Sequence, residues 1–312
     1  MKILLLGGNG QVGHELRRSL ASLGELVVTT RGGALPDGGS CEPLDLARLD
    51  AIDAVIERVA PDVVVNATAH TAVDRAEDEP ELAYAINAEA PGRIARACAD
   101  LGASLVHYST DYVFDGHGRR PYRESDATAP LGVYGRSKLA GEQAIADSGA
   151  RHLVLRTAWV YGMGMHGANF LRTMLRLGSE RDHLRVVSDQ FGSPTPAWLI
   201  ADVTASVLGR GIAQSGVRHL VTTGQTSWHG FAEAIFEEAH ARGLVARRPI
   251  VEAIRTSDFQ TRAARPAWSV LDGGRIENEY GLRLPTWRDG LAITLDAALD
   301  QPVSPGGHGS RP

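Results

Sequence analysis

Lys2-Ile3-Leu4-Leu5-Leu6-Gly7-Gly8-Asn9-Gly10-Gln11-Val12-Gly13 opens the chain. An apolar run of β-prone residues stops at a glycine pair, and an amphipathic helical pattern over residues 12–23 begins at once. Gly7, Gly10 and Gly13 form a G-x-x-G-x-x-G spacing, and counting from Gly8 gives G-x-G-x-x-G. A strand that must turn sharply into a helix needs a first glycine for its dihedrals. A middle glycine lets a pyrophosphate approach the backbone, and a third lets the helix pack close to the sheet. The helix start then offers free N–H groups to phosphate, so Gly7, Gly10, Gln11, Val12 and Gly13 are expected at a dinucleotide.

The same alternation continues outward from this turn. Strands are expected at residues 2–6, 26–30, 63–66, 104–108 and 153–156, with helices at 12–23, 46–60, 79–101 and 133–148. Nearly all-apolar strands separated by helices predict an α/β fold, a doubly wound parallel Rossmann sheet covered on both faces. Residues 1–157 are read as this dinucleotide-binding domain. Beyond residue 159 the rhythm changes: a helix at 167–177, a strand at 184–187, a Gly/Pro-rich loop at 189–196, and helices at 197–210, 227–242 and 287–299. Residues 158–300 are therefore read as a second, smaller α/β substrate domain, some of whose segments pass back into the first. Residues 301–312, rich in Pro, Gly and Ser, read as a flexible tail.

Composition narrows the class. The 312 residues are 43% hydrophobic with a net charge of −5, and the arginines are scattered, which argues against a nucleic-acid partner. The apolar start breaks at Gly7, too short for a signal peptide, and no stretch approaches a membrane span. Cys41 and Cys98 fall in no metal-binding or disulfide pattern, as expected of a cytoplasmic protein. Monomer and homodimer both remain open.

The chemistry is expected at Tyr134-Gly135-Arg136-Ser137-Lys138. Positions i and i+4 share a helix face, so phenol and amine can enter one site. A nearby Lys⁺ favours the phenolate and tunes Tyr134 to donate a proton as hydride arrives from a nicotinamide. Only two of the 32 basic residues are lysines, Lys2 and Lys138, so this spacing is improbable as an accident. Arg serves elsewhere, but Arg does not lose its proton. Thr110 and Asp111, at the carboxyl end of the fourth strand, are expected to orient the substrate carbonyl and to bind a sugar hydroxyl or assist the proton relay. The second strand ends Thr30-Arg31, without the acid that would bind an unphosphorylated ribose. Arg31 fits a 2′-phosphate, so NADPH is the expected cofactor, with NADH as the alternative.

Taken together, GGNGQVG (7–13), VNATAHTAVDRAE (65–77), HYSTDYVFDG (107–116), YGRSK (134–138), RTAWVYG (156–162), DQFGSPT (189–195) and RPAWSVLD (265–272) resemble the extended short-chain dehydrogenase/reductases. Within them the chain is most similar to the dTDP-4-dehydrorhamnose reductases, over nearly its whole length. That resemblance implies NAD(P)H-dependent reduction of the C4 keto group of dTDP-4-dehydro-6-deoxy-L-mannose, a dTDP-sugar, in dTDP-L-rhamnose formation. It places Thr30, Asp45 and Leu46 near the adenosine, and Ala69, His70 and Thr71 along the cofactor. It gives Tyr134 the role of acid, has Lys138 hold Tyr134 and the nicotinamide ribose, sets Thr110 and Asp111 at the sugar, and makes Trp159 a substrate-contacting wall. Some members carry Mg²⁺ at a dimer contact. Glu15 matches one of its acids, but Trp198 stands where a second is expected.

Three other readings compete. An elimination would need a second carboxylate where Tyr112 stands. An epimerase, or a reductase of another sugar, shares the fold. A non-catalytic regulatory subunit of the methionine adenosyltransferase type is disfavoured because Thr110, Tyr134 and Lys138 are intact. His70, His107 and His166 are weaker cleft candidates, more often core or surface. Arg265 is read as a phosphate ligand or a structural ion pair, and Gln190 and Thr195 as a nucleotide clamp or an ordinary turn.

Overall fold

The computed structural model describes residues 1–39, 41–164 and 168–299. His166, the expected helix start at 167 and the tail at 301–312 lie outside the described residues.

The first half reads β1 (Lys2–Leu6), α1 (Gln11–Leu20), β2 (Glu25–Thr30), β3 (Glu42–Pro43), α2 (Leu49–Val59), β4 (Val63–Asn66), α3 (Val73–Asp78), α4 (Pro80–Tyr84), α5 (Ala90–Leu101), β5 (Ser104–Thr110), α6 (Val133–Ala146) and β6 (Arg151–Thr157). The second half reads β7 (Val160–Tyr161), α7 (Phe170–Glu180), β8 (His183–Val187), β9 (Phe191–Gly192), β10 (Thr195–Pro196), α8 (Ala197–Arg210), β11 (Gly216–His219), β12 (Thr226–Ser227), α9 (Trp228–Ala241), β13 (Ile250–Ile254), α10 (Gly274–Tyr280) and α11 (Trp287–Leu299).

Seven strands form one sheet in the order β11-β6-β5-β4-β1-β2-β3, every pairing parallel. Successive side chains of a strand point to opposite faces. In β1, Ile3 and Leu5 enter one core with Leu16 and Leu20 of α1, while Leu4 and Leu6 enter another with Ile52 and Ile56 of α2 and Ile94 of α5. A strand buried on both faces must be apolar at every position, which is why β1 reads as an unbroken apolar run. The chain order reverses between β1 and β4. Their carboxyl ends therefore open the crevice where such sheets bind ligands.

This layer departs from the sequence reading in its strands and in one helix. Neither β3, an edge strand of two residues, nor β11 was anticipated. β11 carries Arg218, fully buried and paired with Glu279 at 2.9 Å, so its pattern does not read as an apolar run. The helix expected over 79–101 contains a wider turn at Ala85–Glu89, where the Ala90 N–H bonds Ala85 O. Pro91 has no N–H to give Asn87 O, so a regular ladder would break there in any case.

Residues beyond 157 divide between two structures. The side chains of α8 (Leu199, Val203, Val207) and α10 (Ile276, Tyr280) complete the core on the α1 face of the large sheet. The remainder packs around a parallel β8–β13 pair, with Leu171 and Met174 of α7, Phe231 and Phe236 of α9 and Leu291 of α11 forming a separate core. Short β7–β10 and β9–β12 pairs lie among these segments.

Candidate active site

The phosphate loop is built from close approach. Gly7 turns with φ of +83°, which L side chains resist, and the N–H groups of Gly7 and Gly8 both donate to Thr29 O at 3.0 Å. A Cβ on Gly13 would stand 2.0 Å from Gly7 O, so only glycine lets α1 start this near the strand. Gly10 differs: its φ is −74°, and a Cβ there would meet nothing nearer than Gly7 O at 3.5 Å. The fold itself therefore does not demand glycine at position 10. Gly10 caps α1 without any side-chain hydrogen bond, and the first turn carries no acidic residue. Open space above Gly10 and an uncapped helix start together suit the pyrophosphate of a dinucleotide.

Other expected cofactor residues fall around this loop. Gln11 Oε1 accepts from Asn169, the side chain that caps α7, at 2.7 Å. Val12 packs on the core. Arg31 is exposed beyond the end of β2. Thr30 is 2% exposed, and its hydroxyl turns into its own loop, donating to Ala34 O at 3.1 Å and lying 3.3 Å from Cys41 Sγ. That hydroxyl is engaged within the loop, so Arg31 offers the exposed side chain here. Asp45 accepts from Ala47 N at 3.1 Å, and Leu46 is buried in the core. Ala69, His70 and Thr71 follow β4 at the crevice, with the His70 backbone clasped by Asn87: its N–H donates to Asn87 Oδ1 at 2.9 Å and its carbonyl accepts at 3.1 Å.

Tyr134 begins α6 and Lys138 lies one turn on, almost fully buried. Lys138 Nζ lies 2.6 Å from Tyr108 O, to which it donates, and 3.1 Å from His107 Nε2. Burial lowers its pKa to about 8, with the Glu142 carboxylate opposing. Burial pushes the Tyr134 phenol up, with the Thr110 hydroxyl working in the other direction. The neutral phenol is thus the stable form. Thr110 Oγ1 donates to Asp111 Oδ1 at 3.0 Å and accepts from Tyr112 N at 3.2 Å. Burial raises the Asp111 carboxyl to about 6, with the nearby Ser269 and Thr110 hydroxyls working in the other direction, and its Oδ2 is buried without a partner. Thr110, Asp111, Tyr134 and Lys138 therefore converge at the carboxyl end of β5.

The expected substrate residues are less uniform. Trp159 holds a φ of +48°, costing about 1–3 kcal/mol, and lies flat on Trp228 with centroids 3.5 Å apart. Gln190 is buried and donates to Thr256 Oγ1 at 3.0 Å, and Thr195 Oγ1 donates to Ser193 O at 2.9 Å. Arg265 reaches Asp74 Oδ2 at 2.6 Å and Tyr112 OH at 3.2 Å, the structural ion pair rather than an unengaged cation. Glu15 lies 3.7 Å from Arg18, and Trp198 Nε1 donates to Thr294 Oγ1 at 3.0 Å. Among the described residues no group of three or more His, Cys, Asp or Glu is arranged to hold a metal ion.

Several residues around the site were not singled out from sequence. Asn87, fully buried, donates to Ser137 Oγ at 3.0 Å and so ties the His70 segment to α6. Asn66 faces His107, and the buried pair Glu142–Arg156 (2.6 Å) lies behind Lys138, with Ser109 donating to Glu142 at 2.5 Å. The available signal was polarity where packing demands apolar residues: Asn66 ends an all-valine strand, and Glu142 follows Lys138 by one turn.

Comparison with known proteins adds to this geometry. Residues 1–299 match the family model described as the RmlD substrate binding domain. The chain is 45% identical to a dTDP-4-dehydrorhamnose reductase of Burkholderia thailandensis, covering 96% of this chain and all of that one. Among solved structures, a dTDP-4-dehydrorhamnose reductase of Clostridium acetobutylicum superposes with a TM-score of 0.86 at 36% identity, covering 96% of this chain and 100% of that one. One from Bacillus anthracis, solved in complex with NADP, gives 0.85 at 33% identity over 95% of this chain and 100% of that one.

Proposed function

Because the chain belongs to the dTDP-4-dehydrorhamnose reductase family, we infer that its cleft reduces the C4 keto group of dTDP-4-dehydrorhamnose to the hydroxyl of dTDP-L-rhamnose. It is an NAD(P)H-dependent oxidoreductase of dTDP-rhamnose biosynthesis. NADPH is the proposed donor, on the NADP held by the Bacillus anthracis relative and on the exposed Arg31. We assign residues 1–157, with α8, β11 and α10 returning, to the nucleotide layer, and most of residues 158–300 to the sugar. A cytoplasmic setting accords with a soluble hydride donor and a nucleotide-activated sugar.

The observation that carries the site assignment is the meeting of Thr110 and Tyr134 beside the β1–β4 crevice, with Lys138 one turn beneath. Gly10 and the start of α1 hold the pyrophosphate, and Arg31 the 2′-phosphate. When bound, the nicotinamide supplies a hydride to C4. Thr110 turns its one hydroxyl hydrogen from Asp111 Oδ1 to the carbonyl oxygen and fixes its direction. Tyr134, kept protonated by burial, delivers its proton to that oxygen as the C–O bond becomes single. Asp111 accepts from a sugar hydroxyl through its unpartnered Oδ2. Lys138 supplies the charge that lets the phenol release its proton.

Turnover of dTDP-4-dehydrorhamnose followed by NADPH absorbance tests this. Tyr134→Phe should lower kcat by at least about 10²-fold while NADPH binding, read by its fluorescence, is retained. No NADPH consumption by the wild-type chain would reject the function. Full activity in Tyr134→Phe would reject the role of Tyr134.

A further inference from the structure

Asn66 of β4 and His107 of β5 stand directly opposite one another in the parallel ladder, and both side chains are buried. Their hydrogen bonds leave one consistent set of directions. Asn66 Oδ1 accepts from Thr68 N at 3.1 Å and from Thr68 Oγ1 at 2.5 Å. A main-chain N–H can only donate, so the amide oxygen belongs on that side. The amide nitrogen then faces His107 Nδ1 at 3.1 Å, and it too can only donate. Nδ1 is therefore the acceptor, and the neutral ring carries its proton on Nε2. A second proton on Nδ1 would meet the amide N–H head on. Complete burial, and after it the Lys138 charge, hold His107 well below the usual histidine range.

Nε2 lies 3.1 Å from Lys138 Nζ. An N–H aimed at that nitrogen finds a partner only in an uncharged amine, whose lone pair accepts while one of its own N–H groups donates to Tyr108 O at 2.6 Å. An ammonium would set N–H against N–H. Resting on the reading that Lys138 serves Tyr134, we propose that Asn66 and His107 are positioning residues whose one-way hydrogen-bond chain favours the amine of Lys138 over its ammonium. The charge that Lys138 offers Tyr134 is then switchable in the working pH range and not permanent.

The surroundings agree. On α6 itself Lys138 is flanked by Tyr134 and Glu142. From β5 and its carboxyl end come His107 and Asp111, and from β6 comes Arg156. Glu142 favours the ammonium, but its carboxylate is already matched by Arg156 at 2.9 and 2.6 Å and by Ser109. Burial lowers Lys138 against the Glu142 charge.

The test uses the full chain labelled with ¹⁵N-histidine, whose long-range imidazole couplings report the tautomer. His107 is assigned by the signal missing from His107→Gln. The expected result is a neutral Nε2–H ring throughout about pH 6 to 9. An Nδ1–H or doubly protonated ring would overturn the proposal. Asn66→Asp supplies the second arm. Its carboxylate keeps an acceptor for Thr68 but can only accept from His107, so the tautomer should flip and Nε2 should receive a hydrogen bond from an ammonium. The alkaline limb of kcat/KM for NADPH-dependent reduction should then move up by about one pH unit or more. A flipped tautomer with an unmoved limb would also overturn it. Activity in Tyr134→Phe would count against the catalytic reading alone, because the tautomer is read without turnover.

Discussion

Asp111 shows how one carboxyl can be tuned by where it stands. Burial raises it to about 6, and of its two oxygens only Oδ1, which accepts from Thr110 at 3.0 Å, is satisfied. Below that pH it is protonated and cannot accept a sugar hydroxyl as a carboxylate; above it, it can. The expected outcome is that kcat/KM for dTDP-4-dehydrorhamnose falls as pH drops through about 6, and that Asp111→Asn flattens this acid limb at a lower rate. A limb that persists in Asp111→Asn would assign it to another group. Tyr134 and Lys138 are shifted by the same cause in the opposite sense for the charged form: burial favours phenol and amine alike.

At the scale of elements, the β1–α1 turn separates two uses of glycine. Gly13 is required by the fold, since a Cβ would stand 2.0 Å from Gly7 O. Gly10 is not, since the nearest atom would lie at 3.5 Å. Gly10→Ala is therefore expected to melt within a few degrees of wild type while raising the KM for NADPH at least about tenfold, as the methyl occupies the phosphate's approach. Gly13→Ala is expected to lower Tm clearly, because α1 must move off the strand. Thermal melts beside cofactor titrations decide it; an unchanged KM in Gly10→Ala would remove the pyrophosphate from this position. The wide turn at Ala85–Glu89 is the other element with a task, since it carries Asn87 to His70 and Ser137.

Across the whole molecule, the cleft is fastened by the segment around residues 261–268. Asp74 of α3 accepts from Ala263 N at 3.0 Å and pairs with Arg265, whose other nitrogen holds Tyr112 OH. Tyr112 in turn meets the Tyr134 ring edge to face at 5.7 Å. The ion pair is partly exposed, at 22% and 46%, so Asp74→Asn should change stability by no more than about 1 kcal/mol. Its effect is expected on the cleft: a severalfold higher KM for the sugar nucleotide with kcat largely kept. A large drop in Tm with unchanged KM would make this clasp merely structural.

How much of this was legible follows from the range of the forces. The alternating strands and helices, the phosphate turn and the Tyr134–Lys138 spacing are set by periodicities of 2 and 3.6 and by glycine sterics, all acting within a few residues. The sequence alone therefore determined a doubly wound sheet with a dinucleotide turn and a phenol–amine pair on one helix face. It did not disclose β11, because Arg218 breaks the apolar pattern and is satisfied only by Glu279, 61 residues away. Nor did it disclose that Asn66 meets His107, since strand register, and no spacing along the chain, brings them together across 41 residues. Resemblance set Thr30 near the adenosine, and Arg265 read equally as a phosphate ligand or an ion pair; the structure shows the Thr30 hydroxyl bonding its own loop and Arg265 paired with Asp74 and Tyr112. Which polar group faces a ligand and which faces a neighbour is decided by tertiary packing, because burial obliges each to find a partner wherever the fold supplies one.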